Sequence, residues 1–222
     1  MGFFGLIRSI EDLLYEVMTW LVFYPRTLLR VLRHPQEMID YSDREQDDAV
    51  EEQYTDTLSP PVFLILSILI CHGVELALGQ KSGSANGVFS KLFANSEETL
   101  LAFRLLVFSI YPMVYAVGMV KRSEAPLDRK TLREPFFSQC YLGALFAILV
   151  SGAGILMRTG TVQAFAAGAG VLVIGIVWYL ALQTVWLHLH LTISRTRAIL
   201  VSLATFLKGT FYVGLIISLL SA

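Results

Sequence analysis

The chain has 222 residues, of which 55% are hydrophobic and only 16% are charged. A soluble domain normally carries about a quarter charged residues, and here most of the charge lies within residues 1–60 and 121–134. This distribution excludes a large soluble core and predicts an all-α, polytopic membrane protein. The net charge of −1 gives no basis for nucleic-acid binding.

Residues 3–24 predict an amphipathic helix. Apolar residues recur there at spacings of three and four, whereas Arg8 and Glu16 fall on other faces. Such a helix buries one side only, either in the membrane surface or against the protein's own spans, and the sequence leaves both options open. Pro25 is expected to end this helix. The acidic residues and the lack of a small-residue cleavage site argue against a cleavable signal peptide.

A second amphipathic helix is predicted in the stretch RTLLRVLRH. Arg26, Arg30 and Arg33 share one face, with leucines on the other. Guanidinium groups at this spacing beside apolar residues favour contact with anionic lipid headgroups on the cytoplasmic leaflet. A solvated basic face is the alternative. Residues 1–35 are therefore predicted to form interfacial helices on the cytoplasmic side.

Residues 36–59 are strongly acidic and contain a single arginine. No periodic apolar stripe runs through them, so they are expected to form a solvated loop or a loose helix. Such a segment could bind a basic partner, but an ordinary cytoplasmic linker is the simpler interpretation.

Five apolar segments in residues 60–222 each have about the 20 residues needed to cross a bilayer. The predicted spans of this five-helix transmembrane bundle are 61–79, 100–120, 136–157, 163–187 and 198–221. The N-terminal region and the loops on its side carry twelve Lys or Arg, against three in the loops on the opposite side. The positive-inside rule therefore predicts a cytoplasmic N-terminus and a C-terminus outside.

Ionisable residues inside the first two spans lie at the same depth in this topology. Glu75 and Arg104 are each about 6 Å below the same interface. An ion pair between them would relieve the cost, roughly a few kcal/mol each, of unpaired charges in lipid. The alternative is that Glu75 faces an aqueous cavity and binds a proton or a cation.

Two more basic side chains are predicted near the middle of the membrane. His72 shares a helix face with Glu75, and Lys208 lies about 15 Å from the cytoplasmic end of the fifth span. Intramembrane ionisable residues are functional candidates by default, for example in proton exchange. The alternative is that Lys208 snorkels to the interface and His72 hydrogen-bonds a backbone carbonyl. The candidates for transport or ion pairing are His72, Glu75, Arg104 and Lys208.

Small residues recur at every fourth position in the third and fourth spans. The three stripes are Gly143, Ala147 and Ser151, then Ala164 and Gly168, and finally Ala166 and Gly170. Such stripes predict close packing of two helices joined by a tight hairpin, and pore lining is the alternative. Gln139 and Gln183 are expected to hydrogen-bond across these helices. Pro112, inside the second span, predicts a kink.

No catalytic motif is present. The sequence has no nucleophile elbow, no HExxH and no phosphate-binding loop, so we expect neither enzymatic activity nor a cofactor. His188 and His190 diverge on a helix, and no carboxylate or cysteine is close in sequence, so no metal site is predicted. Cys71 and Cys140 lie in apolar segments and are expected to be packed thiols.

The predicted order of an N-terminal cytoplasmic region, five spans and an outward C-terminus resembles the Yip family. The stretch YPRTLLRVLRHPQEM, followed by a polar segment and LSPPVFLILSILI, is similar to the entry into that domain. There, a proline-bounded helix containing arginine precedes a first span opened by proline. The resemblance implies partnership with small GTPases in vesicle traffic for eukaryotic members and a permease designation for bacterial relatives. It carries over no site residue.

Two functions follow as hypotheses. The first is a permease or transport component that uses His72, Glu75, Arg104 and Lys208. The second is a non-transporting membrane adaptor or scaffold that recruits partners through its N-terminal region. The expected partners are lipids with anionic headgroups and a second copy or another membrane protein, in a bacterial inner membrane. A water-filled cavity reaching His72 and Lys208 would favour transport, whereas a dry bundle with Glu75 bound to Arg104 would favour the adaptor.

Overall fold

The computed structural model describes residues 3–80 and 96–220, and the regular structure in these ranges is helical throughout. Seven helices follow one another: α1 (Phe3–Arg33), α2 (Pro35–Glu45), α3 (Pro60–Ala77), α4 (Glu97–Arg122), α5 (Arg129–Met157), α6 (Val162–Leu191) and α7 (Arg195–Leu220). Helices α3 to α7 are each long and apolar enough to cross a membrane. The all-α fold with five spans is confirmed, and the chain is an integral membrane protein. Two of the three basic residues counted in the loops on the side opposite the N-terminus, Lys81 and Lys91, lie outside the described residues.

Polar caps carry three of the spanning helices beyond their predicted limits. The side chain of Ser96 accepts a hydrogen bond from the Thr99 amide at the start of α4. Asp128 opens α5 with a reciprocal capping box, and Thr161 caps α6. A side-chain oxygen at this position satisfies amides that have no partner within the helix, so the helix can begin in the polar interface.

Helix α5 is the centre of the bundle. Helices α2, α3, α4 and α6 all pack against it, and its residues 138–147 are buried without a break. In its most apolar window 56% of the residues are buried, against 17% in α6 and α7. A helix covered on all sides belongs to the core of a bundle, whereas the outer surfaces of α6 and α7 are suited to lipid.

Two of the predicted small-residue stripes bring helices into close contact. A Cβ on Gly143 would lie 2.7 Å from Cγ of Pro112, so α4 and α5 meet there. A Cβ on Gly168 would lie 2.7 Å from the carbonyl oxygen of Ala153, so α5 and α6 meet there too. The stripe containing Gly170 was wrongly predicted to pack, because residues two apart on a helix point to nearly opposite sides. Gly170 is exposed and would meet nothing within 4 Å.

The expectation that Pro25 ends the first helix is wrong, because α1 continues through it to Arg33. A proline removes one backbone hydrogen bond and bends a helix, but tertiary contacts can hold the continuation. Tyr24 packs on Phe63 of α3 with ring centroids 5.3 Å apart, and its hydroxyl lies 3.2 Å from Oγ of Ser67. The second half of α1 is thereby fixed to the bundle.

The acidic segment begins with a packed helix, which corrects the expectation of a solvated loop or loose helix. Helix α2 lies against α5 and buries Met38, Ile39 and Ser42. These buried positions span little more than one helical turn, so they do not produce a recognisable periodic stripe. Residues 46–59 form turns and irregular structure, closer to the predicted linker.

Candidate functional site

Glu75 is a buried carboxylate near the C-terminal end of α3, and 3% of its surface is exposed. Its Oε2 accepts a hydrogen bond from Nη2 of Arg104 on α4, which is the ion pair expected from the sequence. Its Oε1 lies 2.9 Å from Nη2 of Arg158, the residue that directly follows α5. Two guanidinium groups compensate the loss of water around the buried carboxylate. One side chain therefore ties three helices together.

His72 belongs to the same network and is 7% exposed. Its Nδ1 lies 3.3 Å from Nη1 of Arg104, and its Nε2 lies 3.8 Å from Oε2 of Glu97 at the start of α4. A guanidinium can only donate, so in the neutral ring Nδ1 accepts and Nε2 carries the proton that faces Glu97. Among the described residues, His72 therefore contacts other side chains and not the backbone carbonyl of the alternative prediction. We call His72, Glu75, Glu97, Arg104 and Arg158 the Glu75 cluster.

Sequence analysis missed Arg158 because it lies in the turn after α5. Its Nε donates to Oε1 of Gln80 over 3.3 Å, and Nε2 of Gln80 donates to the carbonyl of Ile155 over 3.1 Å. The predicted topology could have indicated this contact. Helices α3 and α5 end on the same side of the bundle, so their last residues are candidates for neighbours. Among the residues that the structure describes here, two arginines face two carboxylates.

Lys208 lies apart from the Glu75 cluster. It is an exposed residue of α7 and lines a groove between α4 and α7, whereas the Glu75 cluster is built from α3, α4 and the end of α5. Within residues 3–80 and 96–220, Lys208 has no ion-pair partner. The four intramembrane candidates therefore form two separate sites.

Two of the three arginines expected at lipid headgroups are paired within the protein. Oδ2 of Asp56 lies 2.7 Å from Nη1 of Arg30 and 3.7 Å from Nη2 of Arg26. The Arg30 guanidinium also lies over the ring of Tyr41, 5.2 Å from its centroid, and the Tyr41 hydroxyl donates to Oδ1 of Asp56 over 2.6 Å. Contact of Arg26, Arg30 and the exposed Arg33 with lipid stays a prediction.

The contacts at Asp56 and local burial shift the pKa values of Asp56, Tyr41 and Tyr54. Partial burial opposes the ionisation of Asp56, but hydrogen bonds from Tyr41 and Arg30 outweigh it, so the pKa of Asp56 lies below its ordinary value of 3.8. Burial, with the hydrogen bond to Asp56, raises the pKa of Tyr41. Burial also raises the pKa of Tyr54 to about 12. At neutral pH Asp56 is therefore charged and both tyrosines are neutral.

A third polar cluster lies where α2 meets the end of α6. Nε2 of His190 is 3.6 Å from Oδ2 of Asp43, and one ligand atom each from Asp40, Asp43 and His190 lie within 4.8 Å of one another. Nδ1 of His190 donates to the carbonyl of Trp186 over 3.0 Å, so in the neutral ring the Nε2 lone pair faces the carboxylates. These three side chains have the chemistry to hold a divalent cation. These carboxylates are distant from His190 along the chain but close in space, because α2 packs against α6. The absence of a metal site stays a prediction.

Three smaller predictions can be compared with the structure. Nε2 of Gln183 donates to Oε1 of Gln139, and both side chains are fully buried, as expected. His188 and His190 diverge as expected, because Nδ1 of His188 donates to the carbonyl of Ile193 over 2.6 Å. Both cysteines of the chain are free thiols.

Comparison with known proteins finds no matching family model, no similar curated protein and no similar solved structure. The resemblance to the Yip family therefore stays a prediction, and the functional argument depends on the geometry of the chain itself.

Proposed function

We propose that the protein is a non-transporting membrane adaptor that presents its N-terminal helix to a protein partner. The observation that carries this proposal is the state of the Glu75 cluster. Glu75 is almost fully buried, and both of its carboxylate oxygens contact guanidinium groups. A transporting carboxylate has to exchange partners with a solute or with water. Here a solute cation would first have to displace an arginine, so the cluster is better suited to holding α3, α4 and α5 together.

The first half of α1 supplies the surface for a partner. All ten residues from 9 to 18 are exposed, and Leu13, Leu14 and Met18 are 61%, 60% and 54% exposed. An apolar stripe of this kind is normally covered by a membrane surface or by another protein. The same ten residues include three carboxylates and no basic side chain, which disfavours an anionic lipid surface. A protein with an apolar groove and basic edges is the better complement.

The contacts around Asp56 would support such a role mechanically. Arg26 and Arg30 on the second half of α1 are bound to Asp56, and Tyr41 of α2 binds the same carboxylate. These bonds join α1, α2 and the linker in front of α3. A partner bound to the first half of α1 would therefore be held at a fixed position relative to the spans.

The proposal includes an orientation. The excess of basic residues on one side favours α1 and α2 in the cytoplasm and the C-terminus outside. The membrane we propose is the inner membrane of a bacterium. A cytoplasmic α1 agrees with the Yip-like pattern, in which a cytoplasmic N-terminal region precedes five spans.

Reconstitution separates the adaptor from the transport hypothesis. Vesicles that contain the purified protein and a pH-sensitive dye should conduct protons no faster than protein-free vesicles with the same dye between pH 5 and pH 8. This should hold for the unmodified protein and for Glu75→Gln. A proton flux that exceeds the flux of protein-free vesicles and is abolished by Glu75→Gln would establish transport instead.

Photo-cross-linking in intact cells tests the partner surface directly. A photoreactive amino acid at Leu14 or Met18 should give a discrete adduct to one protein. The matched control is the same amino acid at Val173 or Val177, which are exposed positions on the spanning helix α6. If α1 gives only lipid adducts, it is a membrane-surface helix and the adaptor proposal fails.

A further inference from the structure

The groove between α4 and α7 combines an apolar lining with an excess of positive charge. It has a volume of about 930 Å³ and is lined by three cations, Lys121, Arg122 and Lys208. Among the described residues no acidic side chain lines it, and the rest of the lining is apolar apart from small groups such as the hydroxyls of Thr205 and Tyr212. A pore for a hydrophilic solute would not need such an apolar lining, whereas a site for an amphiphile would.

Arg122 is an exposed residue at the end of α4, and its side chain folds back along the helix. Its Nη1 donates to the carbonyl of Gly118, one turn back along the helix, over 2.8 Å. A Cβ on Gly118 would lie 3.1 Å from this Nη1 and 3.9 Å from Cγ2 of Thr205 on α7. The guanidinium therefore lies beside the contact between α4 and α7. Folded back in this way, the guanidinium lines the groove and places donors beside it that an anion can accept from.

Lys208 approaches the same place from α7. It lies three residues beyond Thr205, or about 4.5 Å deeper along the helix axis, and about 20 Å from the start of α7 at Arg195. Its side chain is exposed, yet it has no ion-pair partner in the part of the chain that the structure describes. An ammonium group at this depth is costly without a counter-charge.

We propose that this groove binds one anionic phospholipid, with the phosphate between Arg122 and Lys208 and an acyl chain along the apolar lining. The hydroxyl of Thr205 is placed to donate to the same phosphate, while Met113, Val117 and Leu215 line the groove where the chain would lie. Charge complementarity selects this occupant. A second copy of the chain packed symmetrically on this face would bring its own three cations against these three, and like charges at an interface oppose association. The site is separate from the arginines of α1.

Native mass spectrometry of the full chain in detergent tests the proposal. Titration with phosphatidylglycerol and with phosphatidylcholine of the same acyl chains should show one bound phosphatidylglycerol, preferred at least about fivefold, the effect of one basic residue near a lipid phosphate. Lys208→Met and Arg122→Gln should each lower that preference by about fivefold. The matched controls Lys130→Met and Arg197→Gln alter exposed cations outside the groove and should keep it.

Three results would overturn the proposal. The first is equal binding of the two lipids by the unmodified protein. The second is a preference that survives both groove substitutions, or that falls equally in the two controls. The third is a dimer that binds no lipid and dissociates on Lys208→Met, which would identify a second copy as the occupant. The thermal midpoint of each variant shows whether a lost preference reflects unfolding, and the two groove variants change different helices, so one folded variant is sufficient.

Discussion

Glu75→Gln should strongly destabilise the bundle, because it removes the negative charge between two guanidinium groups. Removing one partner of a buried ion pair costs about 3–5 kcal/mol. Glutamine keeps one acceptor and nearly the same volume, so the low end of that range, about 3 kcal/mol, is expected. Most of this lost free energy comes from the contact with Arg104, because the Arg104 side chain is only 14% exposed. The Arg158 side chain is 33% exposed and can be hydrated. For a chain of this length the thermal midpoint should fall by roughly 6–12 °C.

Thermal and SDS-induced unfolding in micelles measure this effect. Arg104→Gln should cost about as much as Glu75→Gln, and Arg158→Gln only about 1 kcal/mol because of its exposure. The double variant Glu75→Gln/Arg104→Gln should cost less than the sum of its parts, since both changes remove the same ion pair. Glu51→Gln, an exposed change in the linker, is the control. Strictly additive losses, or a loss of less than about 1 kcal/mol for Glu75→Gln, would refute the view that the Glu75 cluster holds the bundle together.

Two further predictions concern the linker and the helix contacts. Because the pKa of Asp56 is lower in the folded protein than its ordinary value of 3.8, its contribution to stability is complete well above that pH and is lost as the pH falls below 3.8 through the folded pKa. Asp56→Asn should remove part of the loss of thermal midpoint between pH 6 and pH 3, and Glu51→Gln should not. Gly143→Ala and Gly168→Ala each force a Cβ to within 2.7 Å of another atom and should cost about 1–3 kcal/mol in SDS unfolding. Gly170→Ala meets nothing within 4 Å and should not destabilise; equal losses at all three glycines would contradict the assigned contacts.

The spans and one ion pair could be predicted from sequence because each depends on a single rule. Hydropathy and length located five helices, since the backbone in a bilayer must satisfy its own hydrogen bonds. Equal depth on consecutive antiparallel helices placed Glu75 beside Arg104. The prediction that α1 ends at Pro25 was wrong because the rule that proline ends a helix considers only local sequence. The contacts of Tyr24 with α3, which hold α1 together, are tertiary. Helix α2 was missed for a similar reason, because its burial comes from α5.

The rest of the candidate sites depends on which helices meet, and no pattern within one segment contains that information. Arg158 joins Glu75 only because α3 and α5 end side by side. Arg122 and Lys208 share a groove only because α4 packs against α7 and the Arg122 side chain bends back to Gly118. Their separation of more than eighty residues in the chain hides the pairing, although each was visible as a basic residue at or inside a span.

The two sets of intramembrane charge differ in where the opposite charge comes from, and this difference bears on function. In the Glu75 cluster the described residues supply both signs, so the buried carboxylate is paired within the chain. In the groove between α4 and α7 the described residues supply only cations, and that groove lies between two helices that are long and apolar enough to span a membrane. A protein that conducts ions would keep its unmatched charges on an aqueous path, where water hydrates them. Unmatched cations beside lipid are better explained by a lipid that brings the anion, which would bind α4 to α7 from outside much as Glu75 binds α3, α4 and α5 from within.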